Sequence, residues 1–212
     1  MAWVYLQKTA SIKAELAGLK NINIWLTLAV GAIGFGGMFS VYSYVSPILT
    51  EYTHADIRIV PIALAIWGVG MVIGGLVSGW LADKSLFKTM IGILVSSALA
   101  FVLASFMMSN LYTAITALFL IGFTVIGLGG ALQTHLMDIA DDAQTLAASL
   151  NHSAFNLANA LGTFLGGWVL SHNMGWLAPI WVGFVLSLGG LAILLIALAY
   201  AKYTQKNQSA VS

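Results

Sequence analysis

Six stretches of this sequence are long and apolar enough to cross a membrane as helices. They cover residues 23–47, 58–82, 88–109, 111–137, 145–170 and 177–201. A spanning helix needs about 20 mostly apolar residues, and lipid admits only helices or closed barrels because every backbone polar group must be paired internally. Charged residues make up 7% of the chain, against about 25% in soluble domains. The sequence therefore predicts an all-α membrane protein with six transmembrane helices.

The segments outside the 23–201 transmembrane domain are short. Residues 1–22 are predicted to form a cytoplasmic linker or a helix lying on the membrane surface, and residues 202–212 a cytoplasmic tail. The N-terminal segment lacks the apolar core and cleavage site of a signal peptide, so we expect it to remain in the mature chain. The chain has no cysteine and a net charge of +1, which disfavours a cysteine-ligated metal site and a nucleic-acid partner. We expect no metal and no cofactor.

Basic residues are divided unequally between the two predicted sides of the membrane. With six spans, both termini and the loop between the second and third spans lie on the same side. That side carries Lys8, Lys13, Lys20, Lys84, Lys88, Lys202 and Lys206, whereas the opposite side carries only Arg58. Because basic loops stay in the cytoplasm, we predict that both termini are cytoplasmic.

The fifth span contains a row of polar side chains. Ser149, His152, Asn156, Asn159 and Thr163 are three or four residues apart, so they lie on one face of a helix over about 20 Å. We call this row the polar stripe. An unpaired amide in hydrocarbon costs several kcal/mol, so these side chains must face protein or water. Two interpretations are open: hydrogen bonds to a neighbouring helix, or the lining of a substrate cavity.

Three further positions are candidates for the same cavity. Gln133 lies near the cytoplasmic end of the fourth span, where it would face the polar stripe. On the first span, Phe39 and Tyr42 share a helical face with Phe35 and Ser46; such an aromatic row is typical of packing, but also of the wall of a small-molecule site. His152 has the chemistry of a proton acceptor, although a polar lining residue is its commoner role.

Acidic residues are absent from the interior of the predicted spans, since every Asp and Glu lies in a loop or within a turn of a helix end. A buried carboxylate is the usual proton carrier of a coupled transporter. Proton coupling would therefore need another polypeptide or a histidine.

Glycines recur through the second, fourth and fifth spans, where they are predicted to let helix backbones approach closely. They are Gly70, Gly74, Gly75, Gly122, Gly127, Gly129, Gly130, Gly162, Gly166 and Gly167. Enzyme motifs are not found. The sequence GLVSG at residues 75–79 has the wrong spacing for the nucleophile of an intramembrane serine protease, and the last span has no histidine.

The loop between the second and third spans carries a recognisable motif. The sequence GWLADKSLFK, residues 79–88, resembles the cytoplasmic loop signature of the major facilitator superfamily, G-x-x-x-D-[RK]-x-G-x-[RK]-[RK]. Gly79, Asp83, Lys84 and Lys88 match this signature as a cytoplasmic gating motif, whereas Leu86 replaces a glycine and Thr89 a second base.

Two longer stretches, residues 26–51 and 131–167, are similar to the seventh helix and to the tenth and eleventh helices of the drug:proton antiporter branch, which includes arabinose-efflux and chloramphenicol-efflux permeases. The resemblance implies the C-terminal six-helix half of a twelve-helix transporter, built from two inverted three-helix repeats. It also implies that the fifth span borders the central cavity and that Asp83 pairs with a helix of the other half.

The function implied by the resemblance is proton-coupled efflux of a small amphipathic drug-like or sugar-like compound across a bacterial inner membrane. The expected partners are the lipid bilayer, the small-molecule substrate, and an N-terminal six-helix half or a second copy of this chain. The sequence begins within what would be the central linker, so we expect a truncated or split gene product. The alternative is an orphan half without transport activity that binds or regulates a partner transporter.

Overall fold

The computed structural model describes residues 21–140 and 143–209, which fold almost entirely into helices. The predicted linker or surface helix at residues 1–22 lies outside this part of the chain, except for its last two residues. In chain order the α-helices are α1 Ile22–Gly34, α2 Gly36–Tyr42, α3 Val45–Pro47, α4 Val60–Lys84, α5 Leu86–Met107, α6 Leu111–Val125, α7 Gly127–Ile139, α8 Gln144–Ser171 and α9 Ala178–Ser209. A π-helical turn, Ile48–Tyr52, and a 3-10 turn, Ile57–Ile59, connect α3 to α4.

These helices form six rods: α1–α3, α4, α5, α6–α7, α8 and α9. Within the described residues, five are long and apolar enough to cross a membrane: Ile22–Tyr42, Ile57–Lys84, Leu86–Met107, Leu111–Ile139 and Ala178–Thr204. The remaining rod, α8, has 28 residues, which is ample length for a span, but its polar stripe makes it less apolar. The predicted all-α fold with six helical rods is confirmed.

The rod boundaries agree with the predicted spans to within a few residues, with one larger difference. The break between the third and fourth rods is at Ser109 and Asn110, as predicted, and Asn110 starts α6 by accepting a 3.0 Å hydrogen bond from the Tyr112 backbone N–H. Helix α9 continues to Ser209, beyond the predicted end of the span at residue 201. No proline or glycine lies between residues 201 and 209 to end it, so the helix extends beyond the apolar segment.

The rods pack in a pattern that repeats within the molecule. The second rod packs extensively on the fourth and the first on the fifth; the first also packs on the sixth, the third on the fourth, and the third and sixth on each other. If rods one to three are matched in order with rods four to six, the pairing of the second with the fourth rod becomes that of the fifth with the first, the pairing of the first with the sixth becomes that of the fourth with the third, and the pairing of the third with the sixth becomes itself. This is the arrangement of two three-helix repeats. Because each repeat has an odd number of spans, the second repeat enters the membrane from the opposite side.

Glycines bring the crossing rods into backbone contact, as predicted. A Cβ atom on Gly122 would lie 2.6 Å from the Trp67 carbonyl oxygen, and one on Gly166 would lie 2.8 Å from the Ser40 carbonyl oxygen. Gly130, in contrast, has no atom within 4 Å of its Cβ position. Most of these glycines therefore allow close helix packing within the unit, whereas Gly130 faces open space.

The first and fourth rods, which correspond in the two repeats, each contain one residue at which the regular helical hydrogen bonding changes. Phe35 lies between α1 and α2, and Ile126 between α6 and α7. The backbone stays right-handed helical at both, with φ and ψ of −80° and −19° at Phe35 and −60° and −34° at Ile126. Each rod therefore continues as one helix through this residue.

Candidate functional site

The polar stripe lies on an exposed face of α8. The opposite face consists of small residues, Ala147, Ala154, Ala158 and Gly162, that are buried against other helices. Ser149, His152, Asn156 and Asn159 are exposed, and Thr163 is half-buried. Most of the stripe therefore points away from the rest of the described helices.

At its end nearest the α8 C-terminus, the polar stripe is hydrogen-bonded to the first rod. The hydroxyl oxygens of Thr163 and Ser43 are 2.8 Å apart, and the Tyr44 hydroxyl donates a 2.8 Å hydrogen bond to the Thr163 carbonyl. Thr163 Oγ1 also lies 3.2 Å from Asn159 Oδ1. This network spans the contact between the first and fifth rods, so the end of the stripe is positioned by both.

A different asparagine links α8 to its neighbour. Asn151 is 1% exposed, and its side-chain amide donates a 2.6 Å hydrogen bond to Gln133 Oε1 on α7. Gln133 is half-buried. The predicted cavity residue Gln133 is thus paired with Asn151, which the sequence analysis did not include among the site residues. The sign of this role in the sequence is that Asn151 directly precedes His152 but falls on a different face of the helix from the polar stripe.

The predicted aromatic face of the first rod runs from the core of the unit to its surface. Phe35 is 6% exposed, and its ring centroid lies 4.9 Å from that of Phe155. Phe39 is half-buried and meets Phe35 edge to face at 5.8 Å. Tyr42 is 47% exposed. Phe35 therefore packs in the core, as the packing interpretation of this row implies, whereas Tyr42 reaches the surface.

Tyr42 lies at the meeting point of the first, second and fifth rods. Its ring contacts Trp67 of α4 edge to face, with ring centroids 5.6 Å apart, and its neighbour Ser43 contacts Thr163 of α8. Trp67 is 1% exposed and its indole N–H has no partner among the described residues. The exposed surface here thus combines an aromatic ring with the amide and hydroxyl groups of the stripe.

The gating motif forms the short connection between α4 and α5. Helix α4 ends at Lys84, Ser85 is extended, and α5 begins at Leu86. Asp83 is exposed and forms no ion pair with any described residue. It borders a groove between α4 and α7 that includes Gly79 and Gly130, neither of which has an atom within 4 Å of its Cβ position. The motif therefore has a small-residue surface beside an unpaired carboxylate.

The comparisons with known proteins agree on one family. The family model described as Major Facilitator Superfamily matches residues 26–211. Inner membrane transport protein YdhP of Escherichia coli (strain K12) is 34% identical over 191 residues, covering 90% of this chain and 49% of the relative. The uncharacterized MFS-type transporter YfhI of Bacillus subtilis (strain 168) is 34% identical over 159 residues, covering 74% and 40%.

A further relative has a more specific printed name. The chloramphenicol resistance protein of Streptomyces lividans is 26% identical over 173 residues, covering 80% of this chain and 43% of the relative. The chain spans about half the length of the curated relatives it matches. The match covers all six helical rods and agrees with the loop motif and the paired repeats. This chain belongs to the Major Facilitator Superfamily, a family of membrane transporters rather than of enzymes.

Proposed function

We propose that this chain supplies the C-terminal six-helix half of an efflux transporter in a bacterial inner membrane. Its substrate is a small amphipathic compound, either drug-like or sugar-like, and export is coupled to proton entry. The printed name of the relative YdhP supports transport in an inner membrane, and that of the chloramphenicol resistance protein supports a drug-like substrate. The observation that carries the proposal is the exposed polar stripe on α8.

The free-energy cost of placing polar side chains against lipid favours water or substrate beside the polar stripe. Four exposed polar side chains on a membrane-spanning helix would be costly against lipid, since each unsatisfied amide costs several kcal/mol there. The adjacent face of α8 is also exposed but apolar, with Leu157, Phe164 and Trp168. The separation of the two faces suits a helix that borders a polar path on one side and hydrocarbon or another helix on the other.

The groove beside the gating motif supports the proposal that a second six-helix unit is the partner of this chain. Its small residues, Gly75, Gly79 and Gly130, leave room for a helix to approach, and Asp83 beside them would attract the positive N-terminal end of that helix. The partner is an N-terminal half or, alternatively, a second copy of this chain.

The proton-binding carboxylate is expected on the partner unit. In the described residues, the acidic groups of the helical rods are near rod ends: Asp83 at the end of α4 and Asp138 at the end of α7. We assign His152 to the lining of the substrate path, together with Asn156, Asn159, Thr163, Phe39, Tyr42 and Gln133.

Transport measurements on stripe variants test this function. The chain is co-expressed with a complementary N-terminal half, and export of a fluorescent amphipathic dye is followed in membrane vesicles. Asn159→Leu is expected to lower the export rate by about tenfold, because one lost hydrogen bond to a moving substrate is worth on the order of 1 to 1.5 kcal/mol. Phe164→Leu, an exposed change on the same helix but off the stripe, is the matched control and should retain wild-type export.

Membrane abundance of both variants is measured in parallel. Equal loss of export in the two variants at equal abundance would contradict a substrate path along the stripe. Absence of export even by the wild-type pair, together with altered activity of a full-length relative, would instead support the regulatory orphan half.

A further inference from the structure

A second groove runs down the outside of the six-helix unit, between α4 and α5, with α6 as its floor. Val77 and Leu81 of α4, Ile93 of α5 and Phe123 of α6 give it an apolar lining, and it encloses about 520 Å³. Gly92 keeps the α5 side open, since nothing lies within 4 Å of its Cβ position. Helix α8 contributes no residue to this lining, so the groove is separate from the polar stripe.

The hydroxyl groups along the apolar part of this groove are paired with the backbone of their own helices, and Ser85 lies beyond them at the lysine end. Ser78 donates a 2.7 Å hydrogen bond to the Gly74 carbonyl, Thr89 a 2.9 Å bond to the Ser85 carbonyl, and Ser96 a 3.0 Å bond to the Ile93 carbonyl. The part of the walls formed by these residues therefore offers no unsatisfied hydroxyl, and contact with a hydrocarbon chain there would leave none of them unpaired.

Positive charge is concentrated at one end of the groove. Lys84 and Lys88 border its mouth, and its lining contains no acidic residue. The Lys84 ammonium lies 3.3 Å from the centroid of the Trp80 ring, a contact that holds the charge in place and leaves the N–H groups available to a ligand. Asp83 borders the other groove, between α4 and α7. The start of α5 at Ser85 has no side-chain cap, which adds to the positive potential.

The depth of the groove matches one leaflet of a bilayer. Its lining runs from Lys84 to Gly74 along α4, ten residues or about 15 Å at 1.5 Å per residue, and the hydrocarbon core of a bilayer is about 30 Å thick. We propose that this groove binds an anionic phospholipid, with its phosphate between Lys84 and Lys88 and one acyl chain along Gly92 and Phe123. Basic pockets between transmembrane helices are suited to anionic headgroups.

Lipid binding by the purified full chain in detergent tests the proposal by native mass spectrometry. Phosphatidylglycerol and phosphatidylcholine with identical acyl chains are titrated separately. Phosphatidylglycerol is expected to bind about 25-fold more tightly, and Lys84→Gln with Lys88→Gln to remove this preference, because each of the two lysines near an anionic headgroup contributes about a factor of five in affinity. Gly92→Leu, which fills the chain site, should weaken binding of both lipids.

Two control variants match these changes. Lys202→Gln removes an exposed lysine outside the groove, and Gly68→Leu adds the same bulk at another open position of a helix, where nothing lies within 4 Å of the Cβ site. Both should bind phosphatidylglycerol as the wild type does. Unchanged phosphatidylglycerol binding by the double lysine variant or by Gly92→Leu would overturn the proposal. Complete displacement of the lipid by inorganic phosphate would also overturn it, since the acyl chain would then contribute nothing.

Discussion

At the scale of single residues, two asparagines of α8 show how position decides the role of an amide. Asn151 is buried and bonded to Gln133, whereas Asn156 is exposed on the polar stripe. Of the two interpretations of polar residues on this helix, interhelical hydrogen bonding thus applies to Asn151 and, within the stripe, to Thr163, which contacts Ser43. The stripe itself is assigned to a substrate path by our proposal. Helical spacing separated the two faces, but the partner of Asn151 depends on how α7 and α8 pack, which the sequence does not specify.

This difference in burial predicts that alanine substitution of the two asparagines lowers the free energy of unfolding by different amounts. Asn151→Ala is expected to lower the free energy of unfolding by about 1 kcal/mol, because Gln133 loses its partner in an environment with little water. Asn156→Ala should change it by less than about 0.5 kcal/mol, as is usual for exposed positions. Equilibrium unfolding in mixed micelles of increasing dodecyl sulfate content measures both. Similar losses in the two variants would mean that Asn156 is also bonded between helices.

At the scale of helices, glycine packing holds the crossing rods together. Gly74 of α4 lies against the backbone of Phe123 on α6, so that a Cβ atom on Gly74 would overlap the Phe123 carbonyl. Because this neighbour is backbone rather than a flexible side chain, neither helix can accommodate an added methyl group without moving.

The resulting prediction is that Gly74→Ala destabilises the unit by about 1 to 3 kcal/mol through overpacking. Gly68→Ala, on the same helix with open space around its Cβ position, is the control and should be neutral or slightly stabilising, since alanine favours the helix. The same unfolding titration compares them. A neutral Gly74→Ala would contradict the close approach of α4 and α6.

The same elements show how far the sequence could predict the fold. The lengths of the apolar segments predicted the six rods. The break predicted at Ser109 and Asn110 is present in the structure, where Asn110 caps the following helix. The local changes in helical hydrogen bonding at Phe35 and Ile126 were not predicted, since glycine-rich apolar segments are equally compatible with regular helices. Of the two interpretations of the aromatic row, packing applies to Phe35, which is buried against Phe155.

At the scale of the whole molecule, the loops decide the orientation. Seven lysines on one side against Arg58 on the other predict cytoplasmic termini. Alkaline phosphatase fused after Thr53 should therefore be active, and fused after Lys84 inactive, because the enzyme folds only outside the cytoplasm. The reverse pattern of activity would contradict the orientation and, with it, the cytoplasmic placement of the gating motif.

The central claim concerns the whole molecule as well: the polar stripe borders a water-filled substrate path between two six-helix units. The chain contains no cysteine, so single cysteines can be introduced at Asn156 and at its neighbour Leu157, which is 59% exposed on the apolar face of α8. Both sites are open in the six-helix unit, so a difference between them reports contact with water rather than exposure alone.

The most direct measurement is the rate at which a membrane-impermeant thiol reagent modifies these cysteines in the co-expressed pair of a cysteine-free N-terminal half and this chain. The cysteine of Asn156→Cys is expected to react at least about tenfold faster than that of Leu157→Cys, because thiolate formation requires water, and substrate should slow the reaction at position 156 alone. Equal, slow reaction at both positions, unaffected by substrate, would contradict a substrate path along α8.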